Sequence, residues 1–466
     1  MSFLSRVKQS CFFPERFHFH KTKTETMATA TITPADIAPA ANSDRVPGYS
    51  WYALAVLTIV YVLNFLDRTL IYILFTPIKK EMAFSDLQLA LLGSTSFVIF
   101  YTMLGIPFGR LADRTTRKYL IAGGLAVWSL FSGLTGFAKG FWTMFFCRLM
   151  VGVGEATLGP AALSLLSDYF PPRMRATVQG VYSSGIAIGS GLAFFLGGWM
   201  GQTYGWRWAF YFLGFPGLLL AVVVFFLREQ QRGRTEVLTV RFTSKDWRML
   251  FRSVPLRYLY LGYGLFGIAS NNLGIWVPSF FVRVHGLSLV TIGTVAGLLA
   301  IIVGVPVTIM GGYVSDRFRR FGSGGRMLFS TCAALASIPL WLVLLYSNNP
   351  PLLLALNCAL FALAISWLGP AAADVHDVAG PHLRGLGIGI YFSTVNIFAY
   401  GIGSPLIGKL NDLLGVATAP GKMRFALLVC PIACALSAFL LWKGSRALQA
   451  GTDQERQVMS GKLAES

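Results

Sequence analysis

The sequence predicts an all-α membrane protein in which twelve transmembrane helices form two halves of six. Composition is the first indication: 55% of the 466 residues are hydrophobic and only 13% are charged, whereas soluble domains carry about 25% charged residues. The second is a series of apolar segments, each long enough to cross a hydrocarbon core of about 30 Å as a helix. The third is an internal repeat, because two charged motifs of the first half return in the second.

Residues 1–48 form a polar segment that is rich in Thr, Ala and Pro. It contains no apolar run long enough for a signal peptide, and such a composition cannot bury a core. We therefore expect a disordered cytoplasmic tail. Met27 offers a second start, which leaves open whether residues 1–26 belong to the native protein.

The apolar segments follow, six of them in residues 49–227 and six in residues 257–446. The transmembrane helices are expected near 51–76, 87–109, 119–138, 141–167, 176–202, 206–227, 257–282, 289–313, 326–346, 350–373, 384–408 and 422–442. Residues 447–466 are expected to form a second cytoplasmic tail.

A basic linker, residues 228–256, separates the two halves. Ser244 can cap a short helix in it, and Pro255 is expected to end that helix. The apolar positions that share one face of this helix are Trp247, Leu250, Phe251 and Val254. An apolar stripe with basic flanks is typical of a helix that lies on a membrane surface.

The positions of Lys and Arg predict the orientation. Cytoplasmic connectors of membrane proteins are enriched in these residues, and the net charge of +19 comes largely from connectors and tails. The connectors on the side of the N-terminal tail contain Arg114, Arg117, Lys118, Arg173, Arg175, Arg317, Arg319 and Arg320. Both termini are therefore expected in the cytoplasm.

Several classes of function are excluded. The sequence has no basic stripe with interleaved aromatic residues, so we expect no nucleic-acid partner. Its six cysteines form no Cys/His cluster with metal-ligand spacing. It also has no phosphate-binding loop and no nucleophile motif. We expect neither an enzyme nor a cofactor, and an ion gradient as the energy source, with the proton first and sodium as the alternative.

The internal repeat consists of two constellations. At an offset of 203 residues, Gly109, Asp113, Arg114 and Arg117 return as Gly312, Asp316, Arg317 and Arg320. At an offset of 209, Asp168, Pro172, Arg175, Gly180 and Tyr182 return as Asp377, Pro381, Arg384, Gly389 and Tyr391. Transporters built from parallel repeats bind their substrate near the membrane midplane, between the halves.

Charged residues inside the apolar segments are the candidate site. Asp67 and Arg68 lie within the first segment, where insertion scales put an ionised side chain at about 2.5–3.5 kcal/mol unfavourable. Arg148 and Glu155 are seven residues apart in the fourth segment, so they share a helix face about 10 Å from each other. We interpret Asp67 and Glu155 as proton carriers and the two arginines as partners of an anionic headgroup. Static salt bridges that hold the helices together are the alternative.

The second half offers neutral groups instead. The candidate residues for binding an apolar or amide-bearing part of the substrate are Asn271, Asn272, Trp276, Trp367, Asn396 and Tyr400. A charged pole that faces such a wall suits an amphiphile. Each of these residues is also common in helix packing, which is the alternative for each alone.

Asp113 lies among Arg110, Arg114 and Arg117 at the cytoplasmic end of the second segment. Charge-assisted hydrogen bonds between such groups can hold the halves together when the cytoplasmic side is closed, and Gly109 permits close helix approach. The residues of this predicted cytoplasmic gate are Gly109, Asp113, Arg114, Arg117, Asp316, Arg317 and Arg320. The alternative is that these charged residues serve only to orient the protein in the membrane.

Over residues 50–446 the chain resembles the major facilitator superfamily. The resemblance rests on Gly109–Lys118, its echo Gly312–Arg320, and Arg148-x-x-x-Gly-Val-Gly; Thr116 stands where the family usually has Gly. The narrower motifs Asn64-Phe-Leu-Asp-Arg, Arg148-Leu-Met-Val-Gly-Val-Gly-Glu-Ala and Ser164–Arg173 resemble the Spinster subfamily, in a bacterial member. Gly-Glu-Ala also occurs in organic-anion symporters.

The resemblance implies a major facilitator fold and a substrate of the lysophospholipid or sphingosine-phosphate class. We expect a proton-coupled secondary transporter, a symporter or antiporter, that works by alternating access as a monomer among membrane lipids. A bacterial plasma membrane is its expected location. The alternatives are an organic-anion or drug transporter of another branch, and a non-transporting membrane receptor or scaffold. The direction, the stoichiometry and the individual substrate stay open.

Overall fold

A computed structural model describes residues 46–171, 174–230, 247–379 and 383–464 of the chain. These residues form helices and turns, and none of them lies in a strand. Nearly all of the predicted N-terminal tail and the linker residues 231–246, including the predicted cap Ser244, lie outside the described residues.

The N-terminal half contains ten helices. They are α1 (Gly48–Ile73), α2 (Phe75–Met82), α3 (Asp86–Ala90), α4 (Ser96–Arg114), α5 (Arg117–Thr135), α6 (Phe141–Glu155), α7 (Leu158–Tyr169), α8 (Arg175–Thr203), α9 (Trp206–Gly214) and α10 (Pro216–Phe225). A π-helical turn, Leu91–Thr95, joins α3 to α4.

After the linker helix α11 (Trp247–Arg252), the C-terminal half repeats this order. Its helices are α12 (Val254–Ile275), α13 (Val277–His285), α14 (Leu289–Ile302), α15 (Gly304–Phe318), α16 (Gly325–Tyr346), α17 (Pro350–Ser366), α18 (Leu368–Ala379), α19 (Arg384–Asn396), α20 (Ser404–Leu413), α21 (Met423–Leu427) and α22 (Val429–Ala464). A second π-helical turn, Ile397–Gly403, joins α19 to α20.

The helices combine into the predicted transmembrane spans. Within the described residues, nine helical segments are long and apolar enough to cross a membrane, and two further spans are bent pairs. The pair α12–α13 bends by 49° and the pair α14–α15 by 48°. The 19-residue helix α5 runs between α4 and α6 and supplies the remaining crossing. Several breaks coincide with prolines, such as Pro216 and Pro278, because proline has no backbone N–H to continue the helical hydrogen bonds.

The linker helix differs from its prediction. Val254 is the first residue of α12, and Pro255 lies in the first turn of that helix instead of ending α11. Proline suits this position because the first N–H groups of a helix have no intrahelical partner. Leu250 is buried and Phe251 is exposed, so the short helix has one covered face.

Glycines bring α8 close to its neighbours in both halves. A Cβ atom on Gly189 would lie 2.2 Å from the Val62 carbonyl oxygen of α1. On the other side, a Cβ atom on Gly293 of α14 would lie 2.3 Å from the Phe194 carbonyl oxygen of α8. Small residues permit such backbone contact between membrane helices. One seam between the halves is therefore a glycine-lined contact of α8 with α14.

The two ends of the bundle differ. We call the end where α1 begins and α4 finishes the linker end, and the opposite end the distal end. At the distal end Gly408 packs against Asp86, with a Cβ position 2.6 Å from the Asp86 carbonyl oxygen. At the linker end, Gly180, Gly312 and Gly389 have no such neighbour within 4 Å. The backbones of the two halves are therefore in direct contact at the distal end.

Candidate functional site

Four charged side chains of α1 and α6 lie inside the N-terminal half. Asp67 and Glu155 are 1% exposed and Arg148 is fully buried, while the Arg68 side chain is 15% exposed. Glycines of α6 let it approach its neighbours: a Cβ atom on Gly152 would lie 2.9 Å from the Phe97 carbonyl oxygen of α4. This close packing positions the α6 charges against α1.

Arg68 pairs with Glu155. Its Nε and Nη2 atoms donate to Oε2 of Glu155 at 3.1 and 2.8 Å. The guanidinium also lies over the ring of Phe97, 4.2 Å from the centroid, with Phe65 and Tyr101 at 4.7 and 5.0 Å. Charge-assisted bonds and cation–π contacts together hold it in a partly dry site. The structure thus joins residues that are 87 positions apart.

Asp67 has a different environment from Glu155. The Ser132 hydroxyl of α5 donates to Oδ1 of Asp67 at 2.7 Å, and no ion pair joins Asp67 to another described residue. Arg148 reaches only the backbone, since its Nη1 donates to the Asp67 carbonyl oxygen at 3.2 Å. Ser132 is a site residue that sequence reasoning missed, because a serine in an apolar segment carries no distinguishing signal.

Arg148 keeps unused hydrogen-bonding capacity. Its Nε and Nη2 atoms are buried and have no partner among the described residues, and the same is true of Oε1 of Glu155. Buried donors of a guanidinium are normally satisfied, so each exception needs an explanation. These donors are available to an oxygen acceptor, and a guanidinium matches the geometry of carboxylate and phosphate groups.

Two of the neutral candidates of the C-terminal half meet near a second seam between the halves. This seam is formed by the π-helical turns Leu91–Thr95 and Ile397–Gly403. The Tyr400 hydroxyl donates to Oδ1 of Asn271 at 2.7 Å, and Nδ2 of Asn271 donates to the Gly267 carbonyl oxygen at 3.0 Å. Across the seam, Thr95 donates to the Tyr400 carbonyl oxygen at 3.3 Å. Asn271 and Tyr400 are only partly buried. They are thus accessible neutral groups beside the seam.

The other neutral candidates are engaged in packing. Trp276 donates to the Ser404 carbonyl oxygen at 3.2 Å and Trp367 to the Ser270 hydroxyl at 3.1 Å, and both indoles are buried. Asn272 is buried and donates to the Ile268 carbonyl oxygen at 2.8 Å. The contacts of these three favour the packing alternative.

Asn396 occupies a different position. It is the last residue of α19 and is partly buried, directly before the π-helical turn Ile397–Gly403. The turn brings the chain from Asn396 to Tyr400 at the seam.

The predicted gate residues are spread over the linker end. Asp113 is exposed and forms no ion pair with a described residue, while Arg114 is exposed beside it. Gly109 has only Pro160 of its own half near its Cβ position, at 4.0 Å. Arg317 and Arg320 are exposed and lie over the rings of Tyr313 and Phe321. Among the described residues, no ion pair joins the N-terminal gate members to the C-terminal ones.

Arg117 has a structural role that the repeat did not predict. It is buried, and its guanidinium donates to Asp168 at 2.5 Å, to Glu229 of the linker at 2.8 Å and to Ser164 at 2.9 Å. It therefore ties the first linker residues to the N-terminal half.

The counterpart of Arg117 in the second half is Arg326. Arg326 bonds Asp377 at 2.7 Å, as Arg117 bonds Asp168, and both pairs repeat at the offset of 209 residues. Arg326 also bonds Asp316 at 2.7 Å. The sequence comparison paired Arg117 with Arg320, and the contacts do not support that pairing. The connector between α15 and α16 is longer than its N-terminal equivalent, so one offset cannot serve both sides of it.

No group of His, Cys, Asp and Glu side chains that could hold a metal ion occurs in the part of the chain that the structure describes. The polar groups of the site are instead arginines, carboxyl groups, a hydroxyl and an amide. Such groups bind protons and oxygen-bearing anions.

Two repeated six-span halves that close at one end around buried charges define a multi-pass membrane transporter. The chain belongs to the Major Facilitator Superfamily, whose model matches residues 57–397. It is therefore a transporter and not an enzyme.

Three relatives show which members of the superfamily this chain is similar to. An MFS-type efflux pump of Mycolicibacterium smegmatis is 27% identical over 86% of this chain and 93% of its own length. Protein spinster homolog 1 of Rattus norvegicus is 28% identical over 84% and 80%. The sphingosine-1-phosphate transporter SPNS2 of Xenopus tropicalis is 25% identical over 83% and 81%. Within the superfamily the chain is thus similar to the Spinster proteins.

A solved structure agrees with this fold. The crystal structure of a bacterial homologue of the human lysosomal transporter Spinster, in an inward-facing and unoccupied conformation, matches with a TM-score of 0.77. The match covers 86% of this chain and 98% of that one, at 23% sequence identity. The predicted twelve-helix major facilitator fold is thereby confirmed.

Proposed function

We propose that the protein is a proton-coupled secondary active transporter for lysophospholipid-like or sphingosine-phosphate-like amphiphiles. The observation that carries the proposal is the buried Arg148, whose Nε and Nη2 atoms have no partner among the described residues. An anionic headgroup would satisfy these donors. Substrate entry is proposed from the linker end, where gate residues such as Asp113 and Arg317 are exposed.

Alternating access follows from the unequal ends of the bundle. The distal end is closed by contacts between the halves, while the gate residues at the linker end, such as Asp113, are exposed. A second state would reverse this, with the gate residues brought together. We propose that the linker end faces the cytoplasm of a bacterium, since its connectors carry the basic residues.

Proton coupling is assigned to Asp67 and Glu155. Both carboxyl groups are buried, yet only Glu155 has an arginine partner. If Glu155 takes up a proton, its attraction to Arg68 weakens and the guanidinium becomes available to a headgroup. The Glu155 carboxylate and the substrate headgroup then compete for the Arg68 guanidinium, and protonation of Glu155 favours the headgroup. This is the physical basis of symport or antiport here.

The substrate class is supported by two kinds of observation. One is the asymmetry of the site, with charged groups in the N-terminal half and Asn271 and Tyr400 on the other side of the seam. The other is similarity to Spinster proteins, one of which is named as a sphingosine-1-phosphate transporter. An amphiphile with an anionic headgroup fits both. We propose that the protein acts as a monomer among membrane lipids, without a cofactor, and with a proton in preference to a sodium gradient.

A second candidate is an organic-anion or drug transporter of another branch. It is favoured by similarity to the efflux pump of Mycolicibacterium smegmatis. Arg148 would serve either substrate class, because both carry an anionic group. The two substrate classes differ in the length of their apolar chain. A lysolipid transporter must provide a path for the acyl chain, whereas a transporter of short organic anions need not.

The experiment is transport by purified protein in liposomes with an imposed pH step. The panel contains lysophospholipids, sphingosine phosphate, and short organic anions without an acyl chain. We expect accumulation of the lipids that follows the pH step, and its loss in Arg148→Gln. The matched control is Arg207→Gln, which alters an arginine whose ion pair with Glu81 lies within one half at the distal end. Accumulation of only the short anions would favour the second candidate, and accumulation of no substrate would contradict both.

A further inference from the structure

Asp374 of α18 is a buried carboxyl group in the half that lacks the Asp67 cluster. It is 2% exposed, and it forms no ion pair with any residue that the structure describes. The Tyr263 hydroxyl of α12 donates to Oδ2 of Asp374 at 3.4 Å. That hydroxyl also lies 2.9 Å from the Ser330 hydroxyl of α16. Asp374 is thus held by neutral groups.

The charges around Asp374 are engaged elsewhere. Arg326 of α16 uses its guanidinium on Asp316 and Asp377, at 2.7 Å each. The other charged or titratable groups that act on Asp374 or contact its donor are Arg319 after α15, Asp377 of α18 and Tyr391 of α19. Helix α17 contributes no acidic or basic residue. Asp374 therefore has a cation in its surroundings but none bonded to it.

The internal repeat indicates that packing does not require this carboxyl group. Arg326 and Asp377 repeat Arg117 and Asp168 at the offset of 209 residues. At the same offset, Asp374 corresponds to Leu165, which is fully buried. Ser330 likewise corresponds to the fully buried Ile121. The same place in the N-terminal half is filled by apolar side chains alone.

A buried carboxylate without a bonded cation is unfavourable, and binding a proton removes its charge. A neighbouring hydroxyl can then accept from the protonated carboxyl group or donate to the ionised one. The Tyr263 ring is stacked on Trp367, with centroids 5.3 Å apart, and Trp367 donates to Ser270. Asp374 is therefore connected through packed groups to Ser270, the residue before Asn271.

We infer that Asp374 is a second proton-binding site, located in the C-terminal half and held by Tyr263 and Ser330. The inference rests on the proposed proton-coupled transport for its purpose. The protonated carboxyl group fits the closed environment seen here, and a change of the linker end that admits water would release the proton. The two halves then each contribute a proton site, although only the N-terminal half contains the paired arginines.

The test is infrared difference spectroscopy of the protein in lipid nanodiscs across a pH titration. We expect a protonated-carboxyl band in the unaltered protein that is absent in Asp374→Asn and in Asp374→Leu, which copies Leu165. The control is Asp377→Asn, which removes a half-exposed carboxylate three residues away and should keep the band. The inference is overturned if Asp374→Asn removes no protonated-carboxyl band from the spectrum of the unaltered protein.

Tyr263→Phe provides a second measurement that leaves the carboxyl group in place. It removes the hydroxyl donor, so the Asp374 band should shift in frequency. An unshifted band would overturn the assignment even if both Asp374 variants failed to fold.

The spectra also separate this inference from the proposed function. The Asp374 band should remain in Asp67→Asn and Glu155→Gln, whatever these variants do to transport. Transport without any response to a pH step, together with an intact Asp374 band, would contradict proton coupling and leave the site standing. Transport that follows the pH step in a protein without the Asp374 band would support proton coupling and contradict the Asp374 site.

Discussion

Asp86 of α3 and Arg283 of α13 form an ion pair between the two halves, with Nη1 of Arg283 at 2.8 and 2.9 Å from the two carboxylate oxygens. Lys79 adds a third contact at 2.5 Å, and the Asp86 side chain is fully buried. The interaction is reciprocal, because the Asp412 carboxylate of the second half accepts from the backbone N–H groups of Asp86 and Leu87 at 2.8 and 2.9 Å. These contacts close the distal end.

The first prediction concerns this closure. Arg283→Ala removes the partner of Asp86 in the other half, while Lys79 still pairs with the buried carboxylate, so the loss should stay below the about 3–5 kcal/mol of a fully unpaired buried charge. The state that is closed at the distal end should therefore become less populated. Double electron–electron resonance between spin labels at the distal ends of α3 and α20 should report longer distances. Arg207→Ala is the matched control, since its pair with Glu81 stays within one half. Equal distances in both variants would contradict a gating role.

The second prediction concerns the cytoplasmic gate. Asp113 has no ion-pair partner among the described residues here, so we expect its contacts to form only when the linker end is closed. Asp113→Asn should weaken that closed state and shift the protein away from it. Labels at the linker ends of α4 and α19 should report longer average distances. Glu81→Gln, a change of an exposed acid at the distal end, should leave them unaltered. Unchanged distributions in Asp113→Asn would leave the cluster with a role in orientation only.

The third prediction concerns coupling. Asp67→Asn and Glu155→Gln keep side-chain shape and most hydrogen bonds while removing the ionisable group. Each should abolish accumulation driven by a pH step and leave part of substrate binding. Arg68→Ala should damage both, because it leaves Glu155 buried without its cation. The measurements are liposome transport and, in parallel, ligand binding.

Thr135→Ala, on the same helix α5, is the control for these variants, since its hydroxyl donates to the Phe131 carbonyl oxygen and not to a proposed proton carrier. Its transport should still follow the pH step. If both amide variants respond to the step as the unaltered protein does, the pair of Arg68 and Glu155 is a static salt bridge and the proton is carried elsewhere.

The fourth prediction concerns the glycine seam of α8 and α14. A valine at position 293 would place its Cβ atom 2.3 Å from the Phe194 carbonyl oxygen, so the two helices must separate. Overpacking of this kind destabilises by about 1–3 kcal/mol. Gly293→Val should therefore lower the unfolding temperature in detergent. Gly180→Ala, at a position with open space on α8, should not lower it. A stable Gly293→Val protein would mean that the seam is not closely packed.

The span positions could be predicted because hydropathy and helix rise are local properties of the chain. The same holds for the charge pair at positions 67 and 68, whose presence in an apolar segment is visible without any contact. The predicted cap of the linker helix at Ser244 lies outside the described residues, and the end of the helix differs from its prediction. A proline destabilises the interior of a helix but is tolerated in the first turn. Pro255 lies in the first turn of α12, and the sequence does not indicate where that helix begins.

Partner choice was decided by the tertiary structure. From the sequence, either Asp67 or Glu155 could pair with Arg68, and the packing of α6 against α4 and α5 brings Glu155 to it. Ser132 and Arg283 had no local signal, since a hydroxyl or a terminal arginine acquires its role from a partner on another helix.

Sequence alone thus determined the class of fold, the repeat and the segment that carries the buried charges, because burial in a membrane acts on each residue according to its own polarity. Tertiary structure decided which charges pair, which end is closed and that Asp374 is buried without a bonded cation. These depend on distances between side chains far apart in the chain, and hydrogen bonds and ion pairs weaken steeply within a few ångströms.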